Sequence, residues 1–290
     1  FPLQHFWGPL AGIQSTAWIV DSAALAAREF QPRFFYLYLP HLDYAAQRTG
    51  PDSPAALRAC RELDEVIGRL VHSMADTFKQ SRLLWLVASE YTIVPVQHVL
   101  YPNRLLRSIG LLAVRPETEG SSAEELDLAG SRAWALVDHQ FSHVYVPQAA
   151  DVGAVVDMFR RQQGVSEVLT GDERARYGMD HERSGEVIVI SDADSWQAYY
   201  WWSDDTLAPS YARTVDIHRK PGYDPVELHV DAATRSIPLD ATLIRGSHGA
   251  PAVREAQRGV LLSSQKGVFT ETATADTDVY EIVLRQFGIK

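Results

Sequence analysis

Short, continuous apolar runs alternate along this chain with longer stretches of helical spacing. Phe34-Phe35-Tyr36-Leu37-Tyr38-Leu39 is apolar throughout and closed by Pro40, which predicts a buried parallel strand. A polar loop is expected over 41–54. From Ala55 to Phe78 the residues Leu57, Cys60, Leu63, Ile67, Leu70, Val71 and Met74 recur at helical spacing, with Asp52 or Ser53 as N-cap. Leu83 to Ala88 is a second apolar run, closed by Ser89-Glu90-Tyr91. Strand, loop, helix, strand, loop is a βαβ unit. The loops at 41–50 and 89–98 then fall at the carboxyl edge, where open α/β sheets hold their ligands.

The rhythm changes further on. Asn103 to Ile109 predicts a short helix ended by Gly110, and the Glu-, Ser- and Gly-rich stretch 116–131 an exposed loop. Ala133–Val137, His143–Val146 and Glu186–Ile190 read as strands. Val152–Gln163 reads as an amphipathic helix stopped by Gly164. Gly246-Ser247-His248-Gly249 predicts a tight turn, and Gly259–Leu262 a last core strand. The expected organisation is one α/β domain over 1–290, with 111–200 as a smaller α+β insert. The aromatic stretch Trp196–Trp202 reads as packing between insert and sheet, with stacking of a planar ligand as the alternative.

Charge narrows the partners. The 290 residues carry 27 Lys and Arg against 37 Asp and Glu, a formal net charge of -10. Such a surface repels phosphate backbones, so a nucleic-acid polymer is not the expected partner. A small phosphorylated substrate held locally is compatible with it. Cys60 is the single cysteine, so neither an internal disulfide nor a cysteine-rich zinc site is expected, which fits a cytoplasmic protein. No apolar run approaches the roughly 18 residues of a membrane span. The oligomeric state is not legible. The chain opens at Phe1 and reads as a piece that begins inside folded sequence.

The polar loops hold the candidate chemistry. The first offers His41, Asp43, Gln47 and Arg48, the second Ser89, Glu90 and Tyr91, and His248 stands between two residues of a glycine-flanked turn. Oxygen and imidazole donors from separate loops suit a divalent metal. Asp138 and His139 lie near His143, four residues on, so the two histidines would share a strand face. Asp216 and His218 would likewise share a face of an extended segment. These pairs could join a metal or substrate site. Arg48 and Arg219 could contact phosphate oxygens, while Lys220 reads as a solvated charge.

Leu39-Pro40-His41-Leu42-Asp43-Tyr44 with Gly50-Pro51-Asp52 resembles the type I phosphodiesterase/nucleotide pyrophosphatase branch of the alkaline phosphatase superfamily. Its pattern there is a strand followed by Asp-x-x-x-His-x-x-Gly-Pro. Ser89-Glu90-Tyr91 resembles the family's Ser-Asp-His-Gly, and Gly246-Ser247-His248-Gly249 its Gly-x-His-Gly. The resemblance implies an alkaline-phosphatase-like sheet sandwiched by helices. It also implies a metal-dependent hydrolase of phosphodiester or nucleotide pyrophosphate bonds, with a Thr or Ser nucleophile expected upstream of Phe1. Asp43 and His248 would hold one metal, and Glu90 would stand where the second-metal Asp stands. Gln47 replaces the family's His, and Glu90-Tyr91 its Asp-His. Those departures favour one oxygen-rich site for Mg, Mn or Ca over two Zn ions. The alternative is a non-catalytic binding or scaffold protein with a degenerate metal site.

Overall fold

The computed structural model describes residues 1–79, 83–269 and 271–289. Its α-helices are α1 (Ile13–Phe30), α2 (His41–Thr49), α3 (Pro54–Thr77), α4 (Pro102–Ser108), α5 (Ala149–Arg160) and α6 (Val279–Gln286). The strands are β1 (Leu86–Ala88), β2 (Val94–Pro95), β3 (His98–Leu100), β4 (Ala113–Pro116), β5 (Glu124–Asp127) and β6 (Trp134–Asp138). They continue as β7 (Phe141–Tyr145), β8 (Val165–Thr170), β9 (Val187–Ser191), β10 (Ser195–Gln197), β11 (Gly246–Ser247) and β12 (Leu261–Ser263).

The helix expected over 55–78 is α3. Pro54 occupies its first turn and the Ser53 hydroxyl accepts from Ala56 N, so Ser53 is the cap. Val66, Leu70 and Met74 of α3 pack on Val20, Ala23 and Ala27 of α1. The segment 34–39 forms no regular secondary structure and joins no strand ladder. Its residues split by parity. Phe35, Leu37 and Leu39 pack on the α1–α3 core, while Phe34, Tyr36 and Tyr38 are exposed. The expected parallel βαβ unit is therefore absent among the described residues. β1 pairs antiparallel with β12 instead. That pair is an exposed ribbon, with Val87 and Leu262 open to solvent, rather than core.

Two expected loops carry structure. Over 41–49 the chain is the helix α2, whose inward face is His41, Tyr44 and Gln47. The spacing is helical, but two of those three residues are polar, which hides the pattern from a hydrophobic reading. Within 116–131, β5 pairs with β4 as a hairpin.

The largest sheet runs β6-β7-β9-β8, antiparallel throughout. β6 and β7 alternate buried and partly open residues, while every residue of β9 is buried. α5 adds Val155, Val156 and Phe159 to the same core, and Trp196 to Trp202 are fully enclosed in it. That core draws its residues from between Val96 and Ile244. The aromatic stretch is packing, as the composition suggested.

Asn103, fully buried in the first turn of α4, ties these parts together. Its Nδ2 donates to Ala135 O and Tyr199 O (both 3.0 Å), and its Oδ1 accepts from Ala135 N (2.8 Å). Asn103→Ala leaves three buried backbone groups unpaired. The expected loss is about 2 kcal/mol, read as a lower urea midpoint at unchanged slope.

Lys220 is not the solvated charge the sequence suggested. Its ammonium is buried and donates to Thr214 O (3.0 Å) and Asp224 Oδ2 (2.9 Å), with Glu227 Oε1 at 2.5 Å. Glu227 also accepts from Trp7 Nε1 (2.6 Å) and Asp216 N (2.9 Å). One cation and two carboxylates thus anchor the N-terminal segment to the 214–227 loop.

Candidate active site

Four separated segments bring their polar side chains to one place. Asp43 stands in the first turn of α2, which begins after Pro40. Tyr91 follows β1, His139 lies in the turn between β6 and β7, and His248 follows β11. Backbone bonds hold these loops in register. Gln140 N donates to His248 O (2.9 Å), Gln197 N to His139 O (2.7 Å) and Arg245 N to Gln47 O (2.8 Å). His139 takes a left-handed conformation, φ 55°, to turn the chain. Gly222 has φ +130° and lies against Val137, where a Cβ would sit 2.0 Å from the carbonyl oxygen. Only glycine fits there, and it delivers Tyr223 beside His139.

The rings form a ladder. The Tyr91 and His248 rings lie parallel within 3°, centroids 3.6 Å apart. His248 is 3.8 Å from His139, His139 is 4.6 Å from Tyr223, and Tyr223 is 4.6 Å from Trp7. At the open end, Tyr91 Oη donates to Asp43 Oδ2 (2.7 Å), and the Tyr38 hydroxyl lies 3.2 Å from the same Oη.

Burial sets the protonation states. It raises the Asp43 carboxyl to about 6, against the opposing Tyr91 hydrogen bond and with help from the Glu90 charge. It lowers His248 to about 4, so that imidazole is neutral at pH 7. His139 is held neutral by burial and then by its neighbour His248. Burial and the Asp43 charge push the Tyr91 phenol far up, so it stays a neutral donor.

Other sequence candidates lie elsewhere or are already engaged. Glu90 is exposed and reaches the centre only through its charge on Asp43. Gln47 is fully buried one helical turn from Asp43, and neither atom of its amide group has a partner. Asp138 is largely exposed, with Oδ1 3.8 Å from His139 Nε2. His143 does not share a face with His139, which lies in the turn; its Nδ1 accepts from Gly185 N. Asp216 and His218 sit in a turn rather than an extended segment, and Asp216 accepts from His218 N and from Arg219 N and Nε. Arg219 lies over Tyr211, and Arg48 Nε donates to Tyr44 O. Neither guanidinium is among the groups of the ladder. Tyr38, His139, Tyr223 and Trp7 belong to the centre, and of these only His139 stood among the sequence candidates. The Pro-Gly-Tyr turn at 221–223 was the available signal for Tyr223.

The donor set among the described residues does not make a two-metal centre. Among the described residues no group of three His, Cys, Asp or Glu is placed to hold a metal ion. Asp43 is bonded to the neutral phenol of Tyr91, which offers no thiol, imidazole or carboxylate.

The mixed α/β fold is alkaline-phosphatase-like. The chain belongs to the type I phosphodiesterase/nucleotide pyrophosphatase family, whose model matches residues 3–224. No curated protein matches it. Among solved structures, phosphonoacetate hydrolase from Sinorhizobium meliloti 1021, in complex with phosphonoformate, aligns at TM-score 0.55 and 16% identity. The alignment covers 94% of this chain and 57% of that one. Murine ectonucleotide pyrophosphatase/phosphodiesterase 5 aligns at TM-score 0.51 and 16% identity, covering 93% and 58%. An inactive form of that murine protein, in complex with AMP, gives the same values. At these identities the likeness is one of fold. The chain spans less than three fifths of each solved chain. None of the helices among the described residues is long and apolar enough to cross a membrane.

Proposed function

We propose that this chain carries the acid–base centre of a phosphoric ester hydrolase acting on phosphodiester or nucleotide pyrophosphate bonds. The observation that supports it is the convergence of Asp43 and His248, distant in sequence, on the two sides of Tyr91. Family membership supplies the reaction class. Asp43, with its carboxyl raised to about 6, exchanges a proton near neutral pH and serves the ester oxygen. His248 is neutral and accepts a hydrogen bond without adding charge. Protonation of Asp43 also lessens the repulsion an anionic ester meets.

The test is hydrolysis of bis(4-nitrophenyl) phosphate by the purified chain and by a longer version of the protein. Asp43→Asn and His248→Gln are each expected to lower the rate about a hundredfold. Rates equal to wild type in both variants would sink the reading. A second reading is a binding module, and the bond that already engages Asp43 with Tyr91 favours it. On that reading AMP binds, Asp43→Asn alters its affinity, and no form of the protein turns over an ester.

A further inference from the structure

The mismatch between the family's metal chemistry and this donor set has one residue at its centre. We propose that Tyr91 closes the site to divalent cations by engaging both groups that a cation would need. Its hydroxyl sits between Asp43 Oδ2 at 2.7 Å and the Tyr38 hydroxyl at 3.2 Å, so it both donates and accepts. A phenol held on both sides does not swing away without losing two hydrogen bonds. Its ring lies flat on His248, at 3.6 Å and 3°. His139, buried and packed at 3.8 Å from His248, further restricts the imidazole.

This geometry separates the two donors. An imidazole directs a metal in its own ring plane. Phenolic hydrogen bonds lie close to the phenol ring's plane, so Asp43 is drawn toward the plane of Tyr91. That plane is a ring spacing away from the plane in which His248 ligates. Among the described residues no third His, Cys, Asp or Glu completes a metal site with them. Glu90 is exposed, and the Gln47 carbonyl accepts from Arg245 N. A cation must break the Tyr91–Asp43 bond and slide the ring before it meets both groups. Tyr91 is thus a positioning residue, which holds the carboxyl and the imidazole out of ligand order.

The inference concerns the same centre but does not rest on hydrolysis there. Metal content is read without substrate, so the two readings fail separately. The full chain and its variants are incubated singly with Zn, Mn or Mg, freed of excess ion, and analysed by elemental mass spectrometry and titration calorimetry. Wild type is expected to hold no stoichiometric metal. Tyr91→Ala is expected to bind a stoichiometric equivalent of Zn, which the additional change His248→Ala removes. Tyr91→Phe keeps the ring and releases the carboxylate, so it is expected to bind Zn at least about tenfold more tightly than wild type. It also carries the test if Tyr91→Ala misfolds. Stoichiometric metal in wild type that His248→Ala abolishes would overturn the proposal. So would a folded Tyr91→Phe whose Zn affinity equals that of wild type.

Discussion

Lys220→Met is expected to cost this protein about 3–5 kcal/mol of stability. Asp224 and Glu227 are both buried, and the lysine is the cation paired with each of them. Methionine fills the volume of the stem but leaves two carboxylates facing each other out of water. The desolvation that the ammonium offset then falls on the fold. In a chain of this size, such a loss lowers the melting temperature by on the order of 10 °C. Circular dichroism melts at two pH values check the mechanism. Burial already raises the Asp224 carboxyl against the pull of Lys220. Without the lysine Asp224 protonates more readily, so the deficit is expected to shrink as pH falls from 8 to 5. A deficit independent of pH would show that packing of the lysine stem, not charge, was lost.

Asp43→Asn is expected to act in the opposite direction. The folded-state carboxyl titrates at about 6 against 3.8 for the ordinary group. A raised acid binds its proton more tightly in the folded state, so ionising it costs stability. The cost is fully present above about pH 6, diminishes as pH falls below it, and vanishes below the ordinary value. A difference of about two units corresponds to about 3 kcal/mol as an upper bound. Asparagine keeps an acceptor for Tyr91 and carries no charge. The variant should therefore be more stable than wild type at pH 8 by up to that amount, and indistinguishable near pH 3.5. Denaturant titrations at the two pH values measure it. Equal stability at pH 8 would mean that a cation compensates Asp43 in solution. Loss of hydrolysis with a gain in stability would mark Asp43 as a residue kept for chemistry at a structural cost.

Much of the framework was legible in the sequence, because local patterns determined it. The apolar spacing of α3, the Gly164 stop after α5 and the β-rich runs of β6, β7 and β9 each carried their own signal. The failures have physical causes. At 34–39 the residues that meet α1 and α3 alternate with exposed aromatics, so an apolar run resembled a strand buried on both faces. In α2 the buried face includes His41 and Gln47, which hydrophobicity does not detect. Lys220 lies next to Arg219 in sequence, yet the first is fully enclosed and the second open. Only tertiary pairing with Asp224 and Glu227 distinguishes them. At the centre, Asp43 and His248 were marked by motif. The partnership through Tyr91 depends on a contact between loops that no local spacing encodes.

The ladder from Trp7 through Tyr223, His139 and His248 to Tyr91 also bears on the order of assembly. Its rungs come from almost the whole length of the polypeptide, whereas the β6–β7 and β4–β5 hairpins close over short loops. Contacts between distant residues incur loop-closure entropy before they return any stabilisation. The hairpins and the α1–α3 pair can therefore form early, from local contacts. The centre is complete only when Trp7, Tyr91 and His248 have docked on them.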